Sequence, residues 1–307
     1  MSKIFRNLDR FRVKPGNDFR LADNDPGWCG DDDGLERSER KKLAKRALRE
    51  DVKKLTEAQE LLYADDSWSL LLIFQAMDAA GKDSTIKHVM SGVNPQGTQV
   101  FSFKHPTAEE LDHNFLWRCM VDLPERGRIG IFNRSYYEEV LITRVHPELI
   151  HAQNVPGANP DSEEFWEHRY QDINAFERHL TRNGTAILKF FLNVSKEEQR
   201  ERFYDRIDRP EKNWKFSAGD VRERQHWDSY MQAYETCLRR TSTETAPWYV
   251  IPADRKWVTR SVVSGVIVST IQALGLKWPQ VSEEHRRDLA EARRLLEGEG
   301  EGEAGAE

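Results

Sequence analysis

Residues 68–84 read Trp-Ser-Leu-Leu-Leu-Ile-Phe-Gln-Ala-Met-Asp-Ala-Ala-Gly-Lys-Asp-Ser. The run from Trp68 to Ala76 is almost continuously apolar, as expected of a strand buried on both faces of a parallel sheet. Small residues and Gly81 then make a turn, and Lys82 to Met90 follows as a helix. Strand, tight turn and helix in that order frame a phosphate loop, in which backbone N–H groups converge on an anion at a helix N-terminus. Measured against GxxxxGK[ST] the match is partial, because Ala76 replaces the first Gly and Asp83 takes the Ser/Thr place. Gly81 lets the backbone approach a phosphate and Lys82 supplies a point charge. Ala79 and Ala80 keep the turn slim, and Asp83 and Ser84 complete the expected phosphate site. The competing reading is an ordinary buried strand closed by a glycine turn.

Asp78 sits inside this loop, where bound phosphates would repel a carboxylate unless a cation lay between them. Mg²⁺, which takes one carboxylate together with phosphate oxygens and water, suits the position and makes Asp78 the expected metal ligand. An N-cap role is the structural alternative, stronger for Asp83 than for Asp78. A second acidic position usually closes a neighbouring apolar strand. Here Arg128-Ile129-Gly130-Ile131-Phe132 ends in Asn133, which brings an oxygen but no charge, and Arg134 follows as a bidentate phosphate partner.

Outward from this unit the α/β alternation continues. Val100–Phe103, Ile129–Phe132, Thr185–Asn193 and Trp248–Ile251 read as further strands. Helices are expected from Thr107, whose capping box with Glu110 starts a helix reaching Val121, over Glu164–Thr181, after the Ser195/Glu198 cap, and over Ser261–Leu274. The pattern predicts a three-layer α/β fold with a parallel sheet and helices on both faces, and a family resemblance implies that it is of the P-loop kinase type with a helical lid. The expected organisation is an extended arm over 1–34, a phosphotransferase domain over 35–280 with its lid at about 200–245, and a C-terminal helix with a disordered acidic tail over 281–307. Turn clusters at Lys14–Asn17 and Asn24–Gly27 mark the arm, which would lie on a neighbour or on the domain. An amphipathic helix of mixed charge fills Leu35–Tyr63, and the tail from Glu297 holds only Glu, Gly and Ala.

The 307 residues suffice for one large domain with a real core, and the net charge of −6 excludes a generally basic protein that coats nucleic acid. Cys29, Cys119 and Cys237 form no CxxC pair, and six histidines from His105 to His179 show no metal spacing. No signal peptide or membrane helix is recognisable, so a cytoplasmic protein without a membrane or nucleic-acid partner is expected, as a homo-oligomer, dimer or tetramer.

Five blocks in order carry a resemblance: FQAMDAAGKDSTIKHV, GVNPQGTQVFSFKHPTAEELDHNFLWR, IFNRSYYEEVLITRVHPE, DRPEKNWKFSAGD and APWYVIPADRKW. Together, from about Tyr63 to Leu274, they resemble the polyphosphate kinase type 2 family, and Arg-Val-Lys-Pro-Gly at 12–16 resembles the arm before that domain. The resemblance implies a thymidylate-kinase-like fold, Mg²⁺ dependence, and inorganic polyphosphate as phosphoryl donor to adenine nucleotides. It places Asp78, Gly81 and Lys82 in the phosphate loop, Asn133 and Arg134 in the second motif, and Glu138 in the helix that follows, all expected at the catalytic centre. Many members carry Asp where this chain has Asn133, and Asn-Arg-Ser-x-Tyr-Glu resembles the branch that uses both AMP and ADP.

Residues 185–225 hold ten Lys or Arg and eight acids, and ten less eight leaves only +2. Position favours Arg202 and Arg206, four apart on one face where a lid begins, as phosphate contacts, and Lys104 and Arg118 are further candidates for a polyphosphate groove. Trp214 and Phe216 are expected to pack within the lid. Direct in-line transfer needs alignment and charge stabilisation rather than covalent chemistry. Competing functions are an ATP-dependent nucleoside monophosphate kinase, a GTPase-like switch, for which no DxxG follows the loop and the candidate Asp31 to Gly34 precedes it, and a polyphosphate-binding protein without turnover.

Overall fold

A computed structural model describes residues 7–16, 18–30 and 34–303, with side chains as far as residue 297. Asn17 of the first turn cluster, Asp31 of the DxxG candidate and residues 304–307 of the expected tail lie outside the described residues. Contacts divide the chain into two compact units, Met1–Leu276 and Lys277–Glu307.

In the larger unit five strands, β1 (Ser69–Gln75), β2 (Thr98–Ser102), β3 (Ile129–Asn133), β4 (Thr185–Asn193) and β5 (Trp248–Pro252), form a wholly parallel sheet in the order β2-β3-β1-β4-β5. Every residue of β1 is buried, which accounts for its uninterrupted apolar sequence, since a central strand meets helices on both faces. The helices in chain order are α1 (Arg37–Asp65), α2 (Lys82–Val89), α3 (Ala108–Asp112), α4 (Trp117–Met120), α5 (Glu138–Val145), α6 (Glu163–Arg182), α7 (Lys196–Asp208), α8 (Ala218–Glu223), α9 (Trp227–Thr241) and α10 (Lys256–Ala273). Helix α10 lies against β4 and β5 with α1 and α2 beside it, while α6 lies against β4 with α5 and α9 beside it. The phosphate-loop turn, the end of β3 and the start of α7 all fall at the carboxyl edge of the sheet, where open α/β sheets form their sites.

The arm packs on its own domain. Arg12 makes an antiparallel bridge to Tyr249, Val13 N–H donates to Trp248 O at 2.9 Å, and Phe11, Val13 and Leu21 are buried. The outer edge of β5 is thereby covered.

Three expectations need correction. The helix expected from Thr107 to Val121 is broken into α3 and α4. The capping box forms as expected, but His113 is extended and the Asn114 side chain accepts Leu116 N–H at 3.1 Å, which restarts the chain in a new turn. The segment 200–245 likewise divides, because Pro210 ends α7 and opens a 3₁₀ turn, Pro210–Lys215. In the smaller unit a helix, α11 (Glu283–Glu303), starts where Ser282 Oγ accepts His285 N–H and runs beyond Glu297, where composition predicts loss of order.

One buried network ties the sheet to the helices on one of its faces. The side chains of Lys189 on β4 and Glu177 on α6 are 0% and 1% exposed and meet at 2.5 Å. Lys189 also donates to Thr241 O and the Tyr137 hydroxyl, and Glu177 accepts from both Tyr136 and Tyr137. These tyrosines directly follow Arg134 and Ser135, so the network fixes the far end of the turn that leaves β3.

Candidate active site

The turn after β1 contains two left-handed residues, Ala79 at φ 60° and Gly81 at φ 107°. A Cβ on Gly81 would meet nothing closer than Arg202 Nη1 at 3.7 Å, so the backbone angle, not space, requires glycine there. Left-handed Ala79 is uncommon and needs outside support. That support comes from α7: Gln199 Nε2 donates to Asp78 O at 3.0 Å, and Arg202 Nη1 donates to Ala79 O and Ala80 O at 3.0 and 2.6 Å. Gly81 occupies the N-cap of α2, so neither Asp78 nor Asp83 caps it.

Lys82 begins α2 with its side chain folded back, Nζ donating to Ala76 O at 2.9 Å. Burial, reinforced by the charge of Arg134, pushes its ammonium below the usual lysine range against the pull of Asp78, Glu138 and Asp83. Arg134 is itself left-handed, with its N–H on Phe74 O, so β1 holds it in place. Its Nη2 lies 2.9 Å from Asp78 Oδ1, an ion pair about one-third exposed on each side. Burial alone would lower the pKa of this guanidinium, but Glu138 and Asp78 outweigh it and hold the group above its ordinary value. Asn133 Nδ2 donates to Asp83 Oδ1 at 2.8 Å.

These groups line one cleft of about 540 Å³. Ala79, Ala80, Gly81 and Ser84 form its floor with Asp78, Lys82 and Asp83; Asn133 and Arg134 form one wall, and Lys104, Arg202 and Arg206 approach from others. Sequence reading did not single out Lys256 and counted Asp205, Lys212 and Lys215 only within the charge of residues 185–225, yet all four line the cleft. Lys256 opens α10 just after β5, so the rule that sites gather at strand carboxyl ends points to it. Eight cations and three aspartates share this lining, an excess of five positive charges in a chain whose net charge is −6. Burial, followed by Arg202 and Lys212, lowers the pKa of Lys256 against the pull of Asp205, as expected where like charges outnumber the anions.

Two expected members stand elsewhere. Glu138, at the start of α5, accepts Gln75 Nε2 at 3.0 Å and lines a second, more enclosed cavity of about 200 Å³. Arg118 also faces that cavity: it donates to Lys104 O at 2.8 Å, stands 3.6 Å from Glu110 and stacks on Phe103, because the break before α4 turns it inward. The second cavity shares Phe103, Lys104 and Arg134 with the cleft and is otherwise walled largely by Pro106, Leu111, Phe115, Ile142 and Leu149. Trp214 does not pack in the lid as expected, being 77% exposed on the 3₁₀ turn, with its indole N–H on Glu211 O and the Lys215 ammonium over its ring.

Among the described residues no cluster of three His, Cys, Asp or Glu forms a complete metal cage. Asp78 and Asp83 each have one oxygen engaged by Arg134 or Asn133 and another with no hydrogen-bond donor among the described residues, a donor set that fits a hard cation completed by phosphate and water. No described helix is long and apolar enough to cross a membrane.

A sequence model of the polyphosphate kinase 2 family matches residues 38–277. A protein of Rhodopseudomonas palustris named ADP-polyphosphate phosphotransferase is 57% identical over 249 residues, covering 81% of this chain and 86% of its own. One of Meiothermus ruber named AMP/ADP-polyphosphate phosphotransferase is 44% identical over 273 residues, covering 89% and 96%. Among solved structures, that of polyphosphate kinase 2 from Arthrobacter aurescens TC1 aligns with a TM-score of 0.83 at 40% identity, covering 94% of this chain and 98% of that one.

Proposed function

The chain belongs to the polyphosphate kinase 2 family, and from that premise we propose that it transfers phosphoryl groups between inorganic polyphosphate and AMP or ADP. The observation that carries this reading is the cleft itself, in which a phosphate loop, Arg134 and the lysines of the lid line one cationic space of about 540 Å³. The adjoining apolar cavity supports a nucleoside, whose phosphate would reach the cleft past the shared Lys104 and Arg134.

In this reading Lys82 and the amides of Gly81 and the first turn of α2 bind the transferring phosphate, and Arg134 neutralises charge that grows during transfer. A terminal phosphate oxygen of the nucleotide is already anionic near neutral pH, so Glu138 serves to orient Gln75 and the Arg134 turn rather than as a strong base. Lys104, Arg206, Lys212, Lys215 and Lys256 hold the rest of the polyanion. A kinase of this family works with a divalent cation; we read it as Mg²⁺ held by Asp78 with Asp83 beside it, supplying neutralisation of phosphate charge when bound. The open edge strand β2, with Val100 half-exposed, supports a homo-oligomer, dimer or tetramer. The unpaired thiols of Cys29, Cys119 and Cys237 support a reducing, cytoplasmic setting.

An ATP-dependent nucleoside monophosphate kinase would use the same loop. Incubation of the full chain with ADP, magnesium and long-chain polyphosphate, free of ATP, separates the two: ATP forms under the present reading, and AMP in place of ADP yields ADP and then ATP. A chain that phosphorylates AMP only when ATP is supplied is the rival enzyme.

A further inference from the structure

Arg202 has five N–H donors, and all five are engaged by protein. Nε faces Glu198 at 2.9 Å, Nη1 faces Ala79 O and Ala80 O, and Nη2 faces Ala253 O at 2.6 Å and Asp254 O at 3.5 Å. The residue is 8% exposed. The guanidinium expected to touch phosphate is thus fully occupied by the Glu198 carboxylate, two loop carbonyls and the two carbonyls after β5.

Gln199, one turn earlier on α7 and 1% exposed, donates to Asp78 O. Its orientation is fixed by Arg224, which donates from Nη1 to Gln199 Oε1 at 2.8 Å and to Lys196 O at 2.6 Å. Arginine can only donate, so the amide oxygen of Gln199 faces Arg224 and the amide nitrogen faces the loop. Three consecutive carbonyls, of Asp78, Ala79 and Ala80, are therefore drawn toward α7. In a planar trans peptide the N–H points opposite to the C=O, so the N–H groups of Ala79, Ala80 and Gly81 are turned away from α7. Ala80 N–H is engaged by Met77 O, whereas those of Ala79 and Gly81 have no acceptor among the described residues.

We propose that Gln199 and Arg202 are positioning residues that hold the phosphate-loop carbonyls away from the cleft, so that the loop's free amides face the polyphosphate. Neither side chain ligates phosphate. This role rests on the phosphate-loop reading above and adds to it a cause for the loop's shape. Through Arg224, in the turn after α8, the same clamp ties the amides to the lid.

Isothermal titration of the full chain with tripolyphosphate in magnesium buffer tests the assignment. Gln199→Glu keeps an acceptor for Arg224 but sets a second acceptor against Asp78 O, and Arg202→Lys keeps the charge but loses the five-donor fork. Each variant is expected to bind tripolyphosphate about tenfold or more weakly, the effect of leaving a hydrogen-bonding group unsatisfied. Circular dichroism establishes the folded state at the titration temperature, so a variant that is merely less stable keeps wild-type affinity in that measurement. Wild-type affinity in folded Gln199→Glu overturns the clamp, and recovery of affinity in Arg202→Lys but not Arg202→Gln makes Arg202 a charge ligand and overturns it too. If the wild-type chain itself binds no tripolyphosphate, the phosphate-loop reading falls and the clamp with it.

Discussion

Arg134→Ala is expected to lower turnover with polyphosphate and ADP by about 10³-fold or more at saturating substrate, the scale set by arginines that neutralise a transferring phosphoryl group. The side chain stands at the mouth shared by the cleft and the second cavity, with Asp78 at 2.9 Å as its protein partner. Its position does not depend on that ion pair, because the left-handed backbone and the N–H bond to Phe74 O place it from β1. The loss should therefore appear in kcat more than in folding: a pair about one-third exposed contributes little stability once solvent screening is counted. Arg134→Lys should restore only a small part, since a single ammonium cannot reproduce a planar fork aimed at two phosphate oxygens. Steady-state rates within a few-fold of wild type for Arg134→Ala would remove the residue from the chemistry.

Lys189→Met is expected to act on stability instead, lowering it by about 3–5 kcal/mol. The replacement leaves the Glu177 carboxylate buried with two tyrosine hydroxyls but no cation, and Thr241 O without its donor. Burial lowers the Lys189 pKa, and Glu177 opposes the shift. A melting temperature lower by roughly 10 °C follows for a domain of this size. Lys189→Met combined with Glu177→Gln should recover part of that loss, because no charge is then left alone in the core. Thermal melting followed by circular dichroism checks both variants, and a single variant melting with wild type would mean that the pair is not ionised in the fold.

The part of the chain legible in advance was the part written in local pattern. The uninterrupted run of β1 marks a doubly covered strand, and Gly81-Lys82 after it marks the loop, because one strand, one turn and one helix start decide both. Asn133 and Arg134 were readable for the same reason, lying at the end of an apolar strand. The Ser195 cap formed as read, with Oγ accepting Glu198 N–H. What escaped depends on residues far apart in the chain. Arg202 looks like a lid cation in sequence, and only the fold brings it to carbonyls more than 120 positions away. Arg118 was a candidate through its sequence block alone, and the chain turns it to the second cavity, after a helix break at which the Asn114 side chain accepts Leu116 N–H. Lys256 lies in the block APWYVIPADRKW but was not singled out, because only the parallel pairing of β4 with β5 brings the start of α10 to the cleft. Trp214 shows the limit of composition: an aromatic residue in a charged segment suggests packing, and here it stands in solvent.

The most direct measurement is a crystal structure of the full chain with AMP, magnesium and tripolyphosphate. Phosphate oxygens are predicted at about 3 Å from the N–H of Gly81 and from Lys82 Nζ, with the ammonium swung from Ala76 O toward the anion and Arg134 turned to the reacting phosphates. Tripolyphosphate bound elsewhere, with Lys82 still on Ala76 O and the amides of Ala79 and Gly81 facing only solvent, would contradict the account.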